Sequence, residues 1–383
     1  MFHEFSSGKS DGGDATLVRP SNWNERHRVG DWLWPGITAT PALDQADWNP
    51  TDGTRTWNAA GERDRAVLIR ATPASVSFIS GLVGGAAGRM AVIKNDTVDG
   101  LVCLLNEDTT SAAGARFSLR RESIWLLPEQ MATLSYDPTE SRWEIRSLSF
   151  DARAVDFNTA LILPSTATGV VGSNVATATT ATLSTTSSSA TPTNDFLANP
   201  FTQITNSTAN GSSDVRTSGA VPFMRGASAG RQGVFFNAAL RIPAASATGG
   251  AAVGLFNSTA ALTTLPDAVN NCIAAGVLSA GQTTMRVGAR DASAMTQVDL
   301  GASFPVPNAT AAYEVCLQAV AAQSRVIYAV RRLDSRAVAG GALTANLPGN
   351  TIALAPRANV MVGATAAATT LQFNRLLARA LNY

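Results

Sequence analysis

Histidine and lysine are nearly absent from this chain of 383 residues, which holds only His3, His27, Lys9 and Lys94. A histidine-based triad or zinc site would have to be assembled in the N-terminal arm, and neither histidine has a spacing partner of the metal-binding kind. Cysteine is scarce as well. Cys103, Cys272 and Cys316 are odd in number, far apart and set among apolar residues, which excludes a disulfide framework and a cysteine-rich metal site; each reads as a small buried residue. Charged residues make up 15% of the chain, below the roughly 25% usual for soluble domains. A surface so poor in charge suits burial against copies or neighbours. No apolar run reaches the roughly 18 residues that span a bilayer, and Met1–Lys9 lacks a charged-then-apolar leader. The expectation is a protein with no membrane insertion, kept soluble or assembled directly into a particle.

The charge that is present is spread unevenly. Residues 1–150 carry 15 Lys plus Arg against 19 Asp plus Glu, a net of −4, and residues 151–383 carry 14 against 9, a net of +5. Neither half holds the dense basic stripe that nucleic-acid binding needs. All seven tryptophans lie at or before Trp143, so composition shifts near residue 150.

What remains is strand-like. Residues 1–60 have no sustained period and read as an irregular attachment arm whose tryptophans anchor it to a surface or fold back on the first domain. From residue 61 to 150, short alternating runs such as Ala66–Ala71, Ser75–Ser80, Arg89–Asn95 and Leu101–Leu105 are divided by Gly-rich or Asn-Asp turns, which indicates an antiparallel sandwich. Met131–Tyr136 and Trp143–Leu148 flank the turn residues of Asp137-Pro-Thr-Glu-Ser and form a hairpin. Residues 151–195, rich in Thr, Ser and Ala, read as an extended connector that leads into the second domain, because Thr favours strands. Residues 196–383 carry eight to ten further strands, enough for a jelly-roll or lectin-like sandwich. The fold class is therefore all-β, two antiparallel β-sandwich domains behind an irregular arm.

The second domain is organised around Tyr313–Asp334. Tyr313, Val315, Leu317 and Ala319 alternate with Glu314, Cys316 and Gln318, and Val326–Val330 is apolar on both faces; the short connection Ala321–Ser324 makes the pair a hairpin. The alternation puts Glu314 on the solvent face. Leu376–Leu381 fits a strand or a helical turn.

No motif here specifies a reaction. A glycosidase would need two carboxylates roughly 5 to 10 Å apart. The candidates in the second domain are Asp195, Asp214, Asp267, Asp291, Asp299, Glu314 and Asp334, of which Asp291 and Asp334 read as turn residues. Gly81–Gly88 lacks the Lys-Ser/Thr of a phosphate loop. Arg120-Arg121 and Arg331-Arg332 each point to opposite strand faces and cannot form one anion site.

Two stretches carry a resemblance. Asp11-Gly-Gly-Asp-Ala-Thr-Leu-Val-Arg-Pro-Ser-Asn-Trp-Asn24 is similar to the leader near the start of many tailed-phage structural proteins, where Arg-Pro-Ser-Asp-Trp-Asn is typical and Asn22 here departs from it. Ile79-Ser-Gly-Leu and Phe117–Asp137 resemble the module that follows that leader. Arg225–Phe236, Val298–Pro305, Val330–Asp334 and Asn346–Asn350 resemble the C-terminal sandwich of tail-fibre, head-fibre and spike proteins. The resemblance implies a non-enzymatic virion structural protein of the phage particle surface, without catalytic residues, cofactor or metal. It implies attachment to other virion proteins through the arm, and the expected attachment residues are Arg19, Pro20, Trp23, Trp32 and Trp34. It further implies a homotrimer that displays its C-terminal sandwich to the host, with host surface polysaccharide as a partner. A head or neck cement or collar protein and a glycan-degrading tail spike are the alternatives. Receptor contact is expected on the loops 257–271 and 340–350, since loops tolerate variation.

Overall fold

The computed structural model describes residues 68–82, 87–119, 123–149, 199–217, 223–226, 233–257 and 262–381, together with five short strands between residues 37 and 186 and a few single residues. Every extended element among them is a β-strand, interrupted by 3-10 turns at Ala113–Ala115 and Pro266–Ala268. The arm residues Arg19, Pro20, Trp23, Trp32 and Trp34 lie outside the described residues.

The first unit contains β1 (Ile37–Ala39), β2 (Leu68–Ala71), β3 (Val76–Ile79), β4 (Met90–Asn95), β5 (Leu101–Leu105), β6 (Phe117–Ser118), β7 (Ser123–Leu126), β8 (Met131–Asp137) and β9 (Arg142–Leu148). They make a six-stranded sheet ordered β1-β2-β4-β8-β9-β6 and a three-stranded sheet ordered β3-β5-β7. Between them lies a core that includes Ile79, Ile93, Leu104, Phe117, Leu134 and Trp143. The expected β8–β9 hairpin is present. The pairings are mixed, however, with β1–β2, β2–β4, β3–β5 and β6–β9 parallel. From β2 to β5 the chain changes sheet at every strand, so two strands that neighbour each other in one sheet are joined through a strand of the other and run the same way.

The second unit contains β10 (Thr159–Ser165), β11 (Gly169–Gly172), β12 (Val175–Thr179), β13 (Thr182–Thr186), β14 (Phe201–Asn206), β15 (Ser212–Thr217), β16 (Val234–Ala244) and β17 (Gly250–Phe256). It continues with β18 (Cys272–Val277), β19 (Arg286–Arg290), β20 (Met295–Asp299), β21 (Ala312–Ala319), β22 (Val326–Arg332), β23 (Val338–Leu343), β24 (Ala355–Met361) and β25 (Thr369–Ala380). One sheet of nine strands runs β11-β10-β25-β16-β21-β22-β23, with β14 on β25 and β13 on β14; the other, of seven, runs β12-β15-β24-β17-β18-β19-β20. Four strands thus come from the stretch 151–195. The two inner faces close on a core in which Phe236, Leu240, Leu255, Ile273, Tyr313, Leu317 and Phe373 meet.

The hairpin of β21 and β22 is antiparallel, with Leu317 opposite Tyr328. The run that could also have been a helical turn, Leu376–Leu381, is strand up to Ala380, because β25 is paired on both edges, to β10 and β14 on one side and β16 on the other.

Two glycines mark where backbones approach closely. Gly276 on β18 has φ +143°, and a Cβ there would lie 2.2 Å from the Ala251 carbonyl oxygen. A Cβ on Gly340 of β23 would lie 2.9 Å from the Val76 Cβ of β3, so the first unit sits tightly on that strand.

Candidate functional site

The nine-stranded sheet has two buried faces. Its inner face meets the other sheet; its outer face, at β16, β21 and β22, is covered by the first unit, where Val76, Phe78, Cys103 and Leu127 pack on Phe235, Cys316, Val320 and Ile327. That covering corrects the placement of Glu314. The side chain alternates outward as its position on β21 requires, yet it is only 2% exposed, because what lies outward is protein rather than water.

Glu314 is held by an ordered set of donors. Arg375 Nη2 reaches its Oε1 at 2.6 Å, Asn237 Nδ2 donates to the same oxygen at 3.3 Å, and Ser123 Oγ of the first unit donates to Oε2 at 2.7 Å. Burial pushes the carboxyl's pKa up, but the charges of Arg375 and Arg331 with these hydrogen bonds outweigh it and leave the group below its ordinary value. A second tie lies beside it. Arg325 donates from Nε and Nη2 to the two carboxylate oxygens of Asp99 at 2.5 and 2.6 Å, and Gln318 Nε2 donates to the Asp99 carbonyl at 3.0 Å.

Because the folded pKa of Glu314 is depressed, its contribution to stability is present above the unfolded carboxyl range and is lost as pH falls through the folded value. The denaturant midpoint should therefore stay level from neutral to about pH 5 and drop below about pH 4. Glu314→Gln should flatten that drop. A wild-type midpoint unchanged down to pH 3 would contradict this account.

Of the other carboxylates named from the sequence, Asp214, Asp291, Asp299 and Asp334 are separately engaged. Asp214 pairs with Arg216 and, at 3.3 Å, with Arg357, whose guanidinium is pushed down to about 10 by burial and by Arg216, against the pull of Asp214. Asp334 forms a two-point pair with Arg332, at 2.8 Å on each oxygen. Asp291 caps its own turn through Ser293, which holds its pKa below the usual range. Asp267 sits in the 3-10 turn at Pro266–Ala268, and Asp195 lies outside the described residues. All three cysteines are free and buried, and burial pushes the Cys272 thiol up to about 12, so none is a ready nucleophile. Among the described residues no three His, Cys, Asp or Glu converge to hold a metal, and no helix is long and apolar enough to cross a membrane.

One open cleft stands apart from these ties. It has a volume of about 550 Å³ and lies on the outer face of the seven-stranded sheet, with Arg286 of β19 and Met295, Gln297 and Asp299 of β20 as its floor and residues 279–284 as its wall. Its polar groups interlock. Gln282 Nε2 donates to Gln297 Oε1 at 2.8 Å, Gln297 Nε2 donates to Ser279 Oγ at 3.0 Å, and the Leu278 amide donates to Gln282 Oε1 at 2.8 Å. Asp299 accepts from Thr284 Oγ1 at 2.6 Å, from the Gly301 amide at 2.9 Å and from Arg286 Nη2 at 3.1 Å. The Thr284 hydroxyl first, then the Gly301 amide and Arg286, hold its pKa below the usual range.

No family model matches this chain. The search of curated proteins returns no match either. Among solved structures, the chain is similar to a protein of unknown function from Shewanella oneidensis MR-1 (13% identity, TM-score 0.40, 58% of this chain and 85% of that one). Arcelin-5, a lectin-like defense protein from Phaseolus vulgaris, follows at 10% identity and TM-score 0.39, over 59% and 100% of the two chains. A carbohydrate esterase from the Shiga toxin-encoding bacteriophage phi24B matches at 13% identity and TM-score 0.34, over 55% and 91%. No functional residue is carried across from any of them.

Of the residues the sequence singled out, Asp299 alone lines the cleft. Gln282, Thr284, Arg286, Met295 and Gln297 were missed, although Met295, Gln297 and Asp299 alternate visibly with Thr296 and Val298. The two loops expected to meet a receptor are placed differently. Residues 340–343 belong to β23, with Gly340 under the first unit, and Leu262 and Val269 fold back on Ala252, Phe256 and Cys272.

Proposed function

We propose that this chain is a non-enzymatic structural protein of a phage particle, attached through its N-terminal arm and displaying the C-terminal sandwich toward the host surface. The carrying observation is the seam at Glu314 and Asp99. The Arg325–Asp99 ion pair and the Ser123–Glu314 hydrogen bond, each with one side chain from either unit, tie the sandwiches into one body, as suits a part that must hold its shape while it presents a surface. Resemblance of the leader Asp11–Asn24 to that of tailed-phage structural proteins supports the particle setting. A non-catalytic role is supported by the carboxylates. Asp291, Asp299 and Glu314 are all held below their ordinary pKa, opposite to the raised value a general acid requires. A homotrimer is part of the proposal, because a charge-poor surface favours packing against copies.

Mass spectrometry of purified particles tests the reading. The chain should be found in mature virions at a copy number divisible by three, and the purified protein should release no product from host polysaccharide. Absence from particles, or product release lost in Asp→Asn variants, would overturn it.

A further inference from the structure

We infer that the cleft between residues 279–284 and β20 binds a neutral, hydroxyl-rich glycan unit, an inference that rests on the display reading above. Charge is the first reason. The ionised groups of the cleft are Arg286 and Asp299, and they face each other at 3.1 Å. Asp299 already accepts three hydrogen bonds, so a cation finds a carboxylate largely occupied and an anion finds a guanidinium already paired.

Hydrogen-bonding capacity is the second reason. A primary amide offers two N–H donors and an acceptor oxygen with two lone pairs. Gln282 and Gln297 each use one N–H within the cleft, at 2.8 and 3.0 Å, and each keeps the other. Each amide oxygen accepts one bond there, from the Leu278 amide or from Gln282, and keeps one lone pair. The cleft therefore presents both donors and acceptors, which matches sugar hydroxyls that both give and take a hydrogen bond. The Met295 thioether adds an apolar patch for a C–H face of the ring.

Rigidity and position complete the case. The amides are clamped before any ligand arrives, which lowers the ordering cost of binding. A volume of about 550 Å³ falls within the range of small-ligand sites and accommodates a short oligosaccharide. β20 ends the seven-stranded sheet, and the cleft opens on the face of the sandwich opposite the one the first unit covers. It stays accessible while the two units are joined.

The test uses the full chain, titrated calorimetrically with maltotriose, mannotriose and lactose, with a hyaluronate tetrasaccharide and with Ca²⁺ alone. At least one neutral sugar should bind. Gln297→Ala and Gln282→Ala should each weaken it about tenfold, the loss expected for one hydrogen bond, while Glu140→Ala at an exposed turn leaves it unchanged. Hydrogen exchange on the unaltered protein guards against variants that misfold: the sugar should slow exchange at residues 279–286 and 295–299. No neutral sugar bound, protection elsewhere, or binding by hyaluronate or Ca²⁺ alone would each overturn the inference. A chain found in particles whose cleft takes no sugar removes this inference and leaves the display reading. Sugar binding by a chain absent from particles does the reverse.

Discussion

Gly276→Ala should leave little native protein. At φ +143° the added Cβ would stand 2.2 Å from the Ala251 carbonyl oxygen and 2.9 Å from the Ala252 Cα, and both atoms belong to the backbone of β17, the strand to which β18 is paired. No side chain can rotate to relieve the contact, so the ladder itself must part. Backbone strain costs about 1–3 kcal/mol and overpacking about as much again. A sum on the order of 4 kcal/mol removes a large share of the roughly 5–15 kcal/mol that holds a folded protein together. Gly88→Ala is the control: its φ is +77° with nothing within 4 Å of the added Cβ, so it carries backbone strain alone. Soluble yield and denaturant midpoint give the comparison. Gly276→Ala as stable as Gly88→Ala would show that β17 and β18 are not so closely apposed.

Glu314→Ala should be the most damaging substitution at the seam. It leaves Arg375 without its anion and Ser123 without its acceptor, and takes from Asn237 one of its three acceptors. Breaking a buried pair from one side costs about 3–5 kcal/mol; the lower end applies because about a third of the Arg375 side chain stays in water and is solvent-screened. Ser123→Ala removes one neutral donor and should cost about 1 kcal/mol. A Glu314→Ala midpoint no lower than that of Ser123→Ala would mean that the carboxylate is not the centre of the seam.

The hairpin of β21 and β22 was legible because period-two alternation is a local property, visible wherever apolar and polar residues take turns. The environment of Glu314 was not. Alternation says which side of a strand a residue leaves from, and here a separate unit with its own core occupies that side. The parallel pairings of the first unit escaped for a related reason: Val76–Ile79, Met90–Asn95 and Leu101–Leu105 look like successive strands of a meander, and nothing within them encodes the change of sheet at Met90–Asn95. Asp99 was not singled out at all, since its partner Arg325 lies 226 positions away. The cleft needs a loop and an edge strand brought together. Sequence offered only half of it, the outward row Met295, Gln297 and Asp299.

Strand β25 carries a consequence for synthesis. It takes β10 and β14 along one edge and β16 along the other, so strands made early in the second unit meet only through residues 369–380. Before residues 369–380 are made, β10 can pair with β11, β13 with β14 and β16 with β21, but these pairs stay unjoined in the nine-stranded sheet. Closure of the sandwich then waits for β25 itself, with open strand edges meanwhile exposed to other copies. The same late-arriving strand also brings Arg375 to Glu314, so the seam between the two units is finished only after the second sandwich has closed.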